Sequence, residues 1–399
     1  MKLRALQRSS LYRVTRVVIL LTLLWSFIDA IYVHRRYSQP THDPPRLGHE
    51  KIYIASIHWT NEAILRSHWI KAVIELAKDI GPDNVFISIQ ESGSLDDSKG
   101  ALRMLDLELE AAGIPKRIIL DPTTHLDEIS KSPAETGWIW TSREKLELRR
   151  IPYLARLRNL VMEPLYEMQR EGQKFDKILF LNDVVFTSMD VRSLLSTRDG
   201  EYAAACSLDF KTPPKFYDTF ALRDSEGQDY LMETWPFFRS RGSRRAMKAN
   251  IPVPVASCWN GIVAMDAAPF YDHHLAFRGI PDSLSLKHLE GSECCLVHAD
   301  NPLSKSKGVW VNPSVRVGYS GAAYDDINRR DPWMSTLEIW IACWKNRSLR
   351  WTTTTWFKNQ IVYWRLWRWR RKDPSHQEAG DFCVINEMHV LVHNGWAHV

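Results

Sequence analysis

Between Lys51 and Leu120 the chain alternates in a way that leaves few folds open. "KIYIASIHW" reads as a strand. "NEAILRSHWIKAVIELAKDIG" places apolar residues at helical spacing and stops at Gly81. "NVFISIQ" is a second strand. "DDSKGALRMLDLELEAAGI" is a second helix, with Asp96 or Asp97 as its N-cap. "KRIIL" is a third strand. Strand, helix, strand, helix, strand predicts a parallel sheet with right-handed crossovers, hence an α/β fold. A further helix, "IPYLARLRNLVMEPLYEMQREG", has a potential kink at Pro164 and leads into the strand "KILFL". From Ala203 the pattern becomes mixed, with short strands and many loops. The length of 399 residues suits one large α/β domain with additions, or two domains.

In open α/β sheets, ligands bind beyond the carboxyl ends of the strands. Three polar clusters fall at such ends: Asn61 and Glu62, Glu91 and Ser92, and Asn182 and Asp183. They are expected to face one crevice. Neither GxGxxG nor GxxxxGK occurs, which argues against a dinucleotide enzyme or a P-loop NTPase. An amide and a carboxylate at the end of an apolar strand offer hard oxygen donors to Mg²⁺ or Mn²⁺. An ion there would bridge the diphosphate of a sugar nucleotide. An Asn-Asp turn that merely ends the strand gives the same sequence.

Residues 1–16 carry Lys2, Arg4, Arg8, Arg13 and Arg16 and no acid. Val17 to Val33 is apolar except for Thr22, Ser26 and Asp29, and Arg35 and Arg36 follow. Spanning a bilayer takes about 20 residues, with a lower limit near 17. The charge asymmetry predicts a cytosolic tail over 1–16, a transmembrane signal anchor over 17–34 and a proline-containing stem over 35–50. A cleaved signal peptide is the competing reading, but Ile28-Asp29-Ala30 is a poor cleavage site. The remainder would then be lumenal, which suits the sequon Asn346-Arg347-Ser348. Six cysteines between Cys206 and Cys383, without a CxxC pair, fit disulfides better than zinc. Adjacent Cys294 and Cys295 are not expected to bond each other. A net charge of +5 is too small for a nucleic-acid binder.

Eight blocks in order carry a family resemblance: "NVFISIQESGSLDD", "YLARLRN", "FDKILFLNDVVF", "YAAACSLDF", "FYDTFALRD", "SCWNGIVAMDAAPF", "GSECCLVHAD" and "VNPSVRVGYS". Over roughly Lys51 to Ser320 the chain resembles the fungal capsule-associated α-1,3-mannosyltransferases, glycosyltransferase family 69. The resemblance implies a nucleotide-diphospho-sugar transferase (GT-A-like) fold with a mostly parallel central sheet over 51–320. It implies GDP-mannose as donor, a divalent cation (Mn or Mg), and a glycan acceptor. It also implies a single-pass type II protein of the Golgi or ER membrane. Mannose would pass to a sugar hydroxyl with retention, since donor and product are both α-linked.

Carried over residue by residue, Asn182 and Asp183 match the family's Asn-Asp-Val motif. Trp259, Asn260 and Gly261 match its Trp-Asn-Gly block, for stacking on a sugar, bonding hydroxyls and close backbone approach. A bend into a buried strand is the plainer reading of these three. Asp218, Arg223 and Asp224 are candidates for sugar and phosphate contacts, or for an ion-pair network. Arg156 and Arg158 cannot share a helical face. Arg158, with Asn159 beside it, is expected to point at the diphosphate, and Glu91 adds a contact at the second strand end. Glu293, among small and apolar residues, is the candidate catalytic carboxylate, assisted by Asn260. A helix cap or a pair with Lys287 is its alternative. His298 and Asp300 are candidate further metal ligands, although a lone His is more often a satisfied core residue.

More than half of the seventeen tryptophans lie from Trp310 onward, all but Trp310 itself within a Trp/Arg-rich extension over 321–399. "WFKNQIVYWRLWRWRRK" suits an anionic membrane surface, or a packed helix with a solvated basic face. "HVLVHNGW" offers His389 and His393 for a return to the site. A single acid in "LNDVVF" keeps open a non-catalytic polysaccharide-secretion factor on the same fold, and a transferase of another sugar nucleotide stays open because no residue visibly reads guanine against uracil.

Overall fold

The computed structural model describes residues 2–39, 50–328 and 333–399, so most of the expected stem lies outside the described residues. Helix α1 (Lys2–Tyr37) comes first. The predicted alternation follows as β1 (Ile52–His58), α2 (Ile70–Ile80), β2 (Val85–Ser92), α3 (Ser98–Ala111) and β3 (Lys116–Asp121). Strands β1 and β2 are buried on both faces, which is why they read as near-continuous apolar runs. Helix α2 buries Ile70, Val73, Ile74, Ala77 and Ile80, and ends at Gly81, whose φ of +96° suits only glycine. Asp97, not Asp96, caps α3 by accepting from the Gly100 N–H.

One predicted helix differs. Between a short turn at Glu62–Ile64 and α2, Leu65–Trp69 form a π-helical turn. There the Trp69 ring lies 4.5 Å from the His58 ring, and its indole N–H donates to the Asn182 carbonyl at 3.0 Å. Such turns accommodate one extra residue and recur near functional sites.

Helix α4 (Arg150–Arg170) continues through Pro164. It leads to β4 (Lys177–Leu181), β5 (Ala204–Thr212), β6 (Lys215–Phe216), β7 (Arg223–Asp224), α5 (Arg241–Ala249), β8 (Val253–Ser257) and β9 (Ile262–Asp266). After these come β10 (Glu290–Gly291), α6 (Glu293–Asp300) and β11 (Val309–Gly318). The C-terminal part forms α7 (Thr336–Thr352), α8 (Trp356–Arg370), β12 (Val384–Ile385) and a hairpin of β13 (His389–Val392) and β14 (Gly395–His398).

Ten strands make the main sheet in the order β3-β2-β1-β4-β9-β5-β11-β8-β7, with β6 beside β5. The first four are mutually parallel. Strand β9 enters antiparallel between β4 and β5, and β11 runs parallel to β5. The expected α/β architecture is therefore present, with the central sheet parallel through β3-β2-β1-β4. Successive residues face opposite sides. Ile54 and Leu179 join one core with α2 and α3, while Tyr53 and Phe180 join the other with α4 and α6.

The C-terminal extension is built into this frame. Cys295–Cys383 ties α6 to it, β12 pairs with β10, and Arg149 bridges to Val390. Cys206–Cys258 links β5 to the end of β8, and Cys294 stays a buried thiol.

Candidate active site

A cavity of about 540 Å³ opens beside the carboxyl end of β4. Arg150 and Arg158 enter it from α4, and Asn182 from the end of β4. Asp218 and Arg223 come from the loop into β7, and Trp259 from the turn before β9. Glu293 comes from the start of α6, and Glu387, His389, Trp396 and His398 from the C-terminal hairpin region.

Arg158 and Glu293 form the buried centre. Nε of Arg158 lies 3.1 Å from Oε1 of Glu293. The guanidinium also sits 4.6 Å over the Trp259 ring, a cation–π contact. Trp259 is thus engaged by Arg158 rather than left bare for a sugar. Glu293 opens α6, where an acid complements the helix dipole, and Ser292 caps the helix through the Cys294 N–H. The partner of Glu293 is Arg158, not Lys287. Arg156 lies outward and pairs with Glu128 at 2.6 Å.

Asn182 lines the cavity, and Asp183 follows it outside the lining. The Asn182 N–H donates to the Gly261 carbonyl at 2.9 Å. Asp183 is bonded by the Asn61 side chain, and burial pushes its carboxyl pKa upward. So the first and fourth strand ends do meet.

Asp209, inside β5 after its apolar run, was not singled out from the sequence. It is fully buried. Its Oδ1 accepts from the Asn260 amide at 3.0 Å and the Asp218 N–H at 3.2 Å, and its Oδ2 accepts from the Tyr319 hydroxyl at 3.2 Å. Burial raises its pKa. Burial, then the Asp209 charge, pushes the Asp218 carboxyl up to about 7. The Tyr319 hydroxyl feels Asp209, Asp218 and Asp183 and bonds the Asn182 side chain. Acids crowded in this way favour a bound cation. The signal for Asp209 was the same as for Asp183: an acid after the apolar run of a strand.

The hairpin supplies a second donor group. Single ligand atoms of Glu387, His389 and His398 lie within 4.8 Å of one another. His389 is buried, with Nε2 2.9 Å from Oε2 of Glu387 and its Nδ1 unpartnered. Burial and the nearby Arg150 lower its pKa and keep it in the neutral, ligating form. A carboxylate and two imidazoles offer a divalent metal ion one oxygen and two nitrogen donors.

Other expected residues serve the frame. Asn159 uses both ends of its amide on the Phe277 backbone, at 2.8 and 2.9 Å. Asn260 is buried, and its amide donates to Asp209 and to the Asp218 carbonyl, which makes it a positioning residue. Glu91 pairs with Lys99 at 2.9 Å and accepts from the Ser94 N–H. Arg223 lines the cavity, but its guanidinium donates to the Phe220, Leu222, Phe382 and Cys383 carbonyls and pairs with Asp229. Asp224 accepts from the N–H groups of Glu226, Gln228 and Ser240, so it organises a turn. Asp300 is held by Arg278 at 2.6 Å, beside Glu378, and is not gathered with Asn182 and Asp183.

Gly261 has a φ of +76°, and a Cβ would come within 2.4 Å of Val317 Cγ2. Close packing, not ligand approach, demands glycine here. Gly261→Ala is expected to cost about 1–3 kcal/mol in chemical denaturation.

His298 is tied to the frame through one ring nitrogen. Its Nε2 meets the Cys258 carbonyl at 2.8 Å, and burial lowers its pKa to about 4. A depressed pKa gives stability that is present above the ordinary value and lost as pH falls. The melting temperature should therefore fall between about pH 6.5 and 4, and His298→Gln should flatten that fall.

A family model described as Cryptococcal mannosyltransferase 1 matches residues 51–300, more than half of the chain. No curated protein matches. Similar solved structures include mannosyltransferase PcManGT from Pyrobaculum calidifontis in complex with GDP-Man and Mn2+. It has a TM-score of 0.36 and 11% identity, over 75% of this chain and 67% of that one. S. aureus TarS 1–349 has a TM-score of 0.35 and 11% identity, over 69% and 59%. Glucosyl-3-phosphoglycerate synthase from Mycobacterium tuberculosis, with phosphoglyceric acid, has a TM-score of 0.30 and 14% identity, over 67% and 70%. The extent of the family match decides the matter: this chain belongs to the family described as Cryptococcal mannosyltransferase 1, and is a glycosyltransferase.

Proposed function

We propose that the protein transfers mannose from GDP-mannose to a glycan hydroxyl, with retention and in the presence of a divalent cation, giving an α-1,3 linkage. The observation that carries this reading is the single cavity at the carboxyl end of β4. It joins Asn182, Asp218, Glu293 and the hairpin ligands to two arginines. Arg150 and Arg158 bind and orient the diphosphate, for which the guanidinium fork is suited. Asn182, Asp183 and Asp218, with Glu387, His389 and His398, are the residues that would hold a cation. Bound there, a divalent ion would offset charge on the leaving nucleoside diphosphate. Glu293, beside the anomeric carbon, steadies the positive charge that develops in a same-face displacement. The functional unit would run from residue 51 through the C-terminal hairpin. Tyr12–Tyr37, long and apolar enough to cross a membrane, would anchor it with the catalytic part in the Golgi or ER lumen.

The test is a screen of GDP- and UDP-sugars with and without Mn²⁺, reading hydrolysis and transfer. Turnover of GDP-mannose that rises with Mn²⁺ is expected. Turnover of a UDP-sugar instead would overturn the donor. Failure to bind any sugar nucleotide would favour the secretion-factor reading.

A further inference from the structure

Helices α7 and α8 carry large apolar side chains that stay largely exposed. On α7 these are Leu337, Ile341 and Trp351; on α8, Trp356, Tyr363, Trp364 and Trp367 are 44–62% exposed. Helix α8 already buries one stripe, Val362, Leu366 and Trp369, against the body of the protein. A helix in water needs one apolar face, so the outer aromatic stripe is a second, unexplained one. Cations accompany it. Arg368 and Arg371 stack on Trp364 and Trp367 at 4.6 and 4.8 Å, and no acid occurs from Trp356 to Lys372.

The packing of α1 says what covers this face. Trp340 and Trp344 of α7 both donate to the Ser26 hydroxyl, at 2.8 and 3.1 Å, and Phe27 meets Trp340 edge to face. Lys248 of α5 pairs with Asp29 at 2.6 Å. The protein body therefore meets α1 from Ser26 onward. The apolar run Val17–Val33 is about 25 Å long at 1.5 Å per residue, already short of a hydrocarbon core of about 30 Å. Were lipid to stop where α7 begins contact, only Val17–Trp25 would remain, about 13 Å. If α1 spans, the contact with α7 must lie at the level of the lipid.

We propose that α7 and α8 lie in the interface of the membrane that α1 spans. The aromatic stripe enters the headgroup–acyl boundary, and the α8 arginines reach lipid phosphates. This rests on α1 being an anchor. Tryptophan, tyrosine and arginine are the residues this boundary selects. The outer helix also borders the site: a cleft lined by Val362, Tyr363 and Leu366 shares Asp229 and Ile385 with the main cavity.

The full chain, reconstituted in phosphatidylcholine–phosphatidylserine vesicles, tests this through tryptophan quenching by bromine-labelled lipid. The combined variant Trp356→Phe, Trp364→Phe, Trp367→Phe should lose the larger part of the lipid-quenched emission. Unchanged quenched emission in that variant overturns the proposal. So does a dimer that dissociates in Trp364→Arg, since a second copy would then cover the stripe. Trp25→Phe in the same vesicles reports on α1 alone. If it removes no quenched emission, the anchor has failed rather than the docking.

Discussion

Glu293→Gln is expected to lower kcat for sugar transfer by about 10²–10³-fold, with KM for the sugar nucleotide little changed. Glutamine keeps the shape and can still accept from Arg158, so only the charge is lost. That charge is specific to Glu293: the neighbouring Cys294 thiol, 3.4 Å away, is held protonated because burial raises its pKa well above the ordinary value. Arg158 also keeps its contacts with Trp259 and Phe277, which limits damage to the fold. Steady-state kinetics alongside thermal melting separate the two roles. A kcat near wild type would make Glu293 a structural partner of Arg158. A collapse of the melting temperature with activity would do the same. Asp183→Ala should act differently, through loss of the Mn²⁺ response, with the fold intact.

How much of this was legible follows from the range of each signal. The alternation of β1, α2, β2, α3 and β3 is written in local periodicity, and these elements fall in the order the sequence puts them, with α2 shortened at its start by the π-helical turn. The order of the second half is not local. Strand β9 slips between β4 and β5, and four strands contain only two residues each, so pairing across distance decides them. At the site, polarity among apolar neighbours pointed to Asn182 and Glu293, and the family blocks pointed to Arg158 and Asp218; all four line the cavity. The same blocks pointed to Asn159, Asn260 and Asp300. Their polar groups instead satisfy backbone or neighbouring side chains, a demand of buried structure that looks identical in sequence. Glu387 and His398 had no local cue. They reach the cavity because Cys383 and β12 fasten the extension to α6 and β10.

That fastening has a second, larger dependence. Arg149→Ala is expected to cost about 3–5 kcal/mol in urea unfolding, and activity with it. Arg149 and Glu290 are both fully buried, with Nη2 and Oε1 2.6 Å apart. Nη1 of Arg149 also holds Asp282 at 2.6 Å and the Ile280 carbonyl at 2.9 Å. Alanine would leave Glu290 without its cation in a place where burial already raises its pKa. A raised folded-state pKa gives stability that is lost as pH rises through it. The deficit of the variant should therefore be smaller in mild acid than at neutral pH. Replacing both members, Arg149→Met with Glu290→Leu, should recover most of the loss, because the one acid left behind, Asp282, is part-exposed and still accepts from the Gly137 N–H at 2.8 Å. The consequence for function follows from position. Glu290 lies three residues before Glu293, and the Arg149 backbone bridges to Val390, next to His389. One buried pair thus fixes both the proposed catalytic carboxylate, Glu293, and the hairpin residues proposed to hold a cation. If Arg149→Ala unfolds like wild type, the hairpin must be held by the Cys295–Cys383 bond and β12 alone.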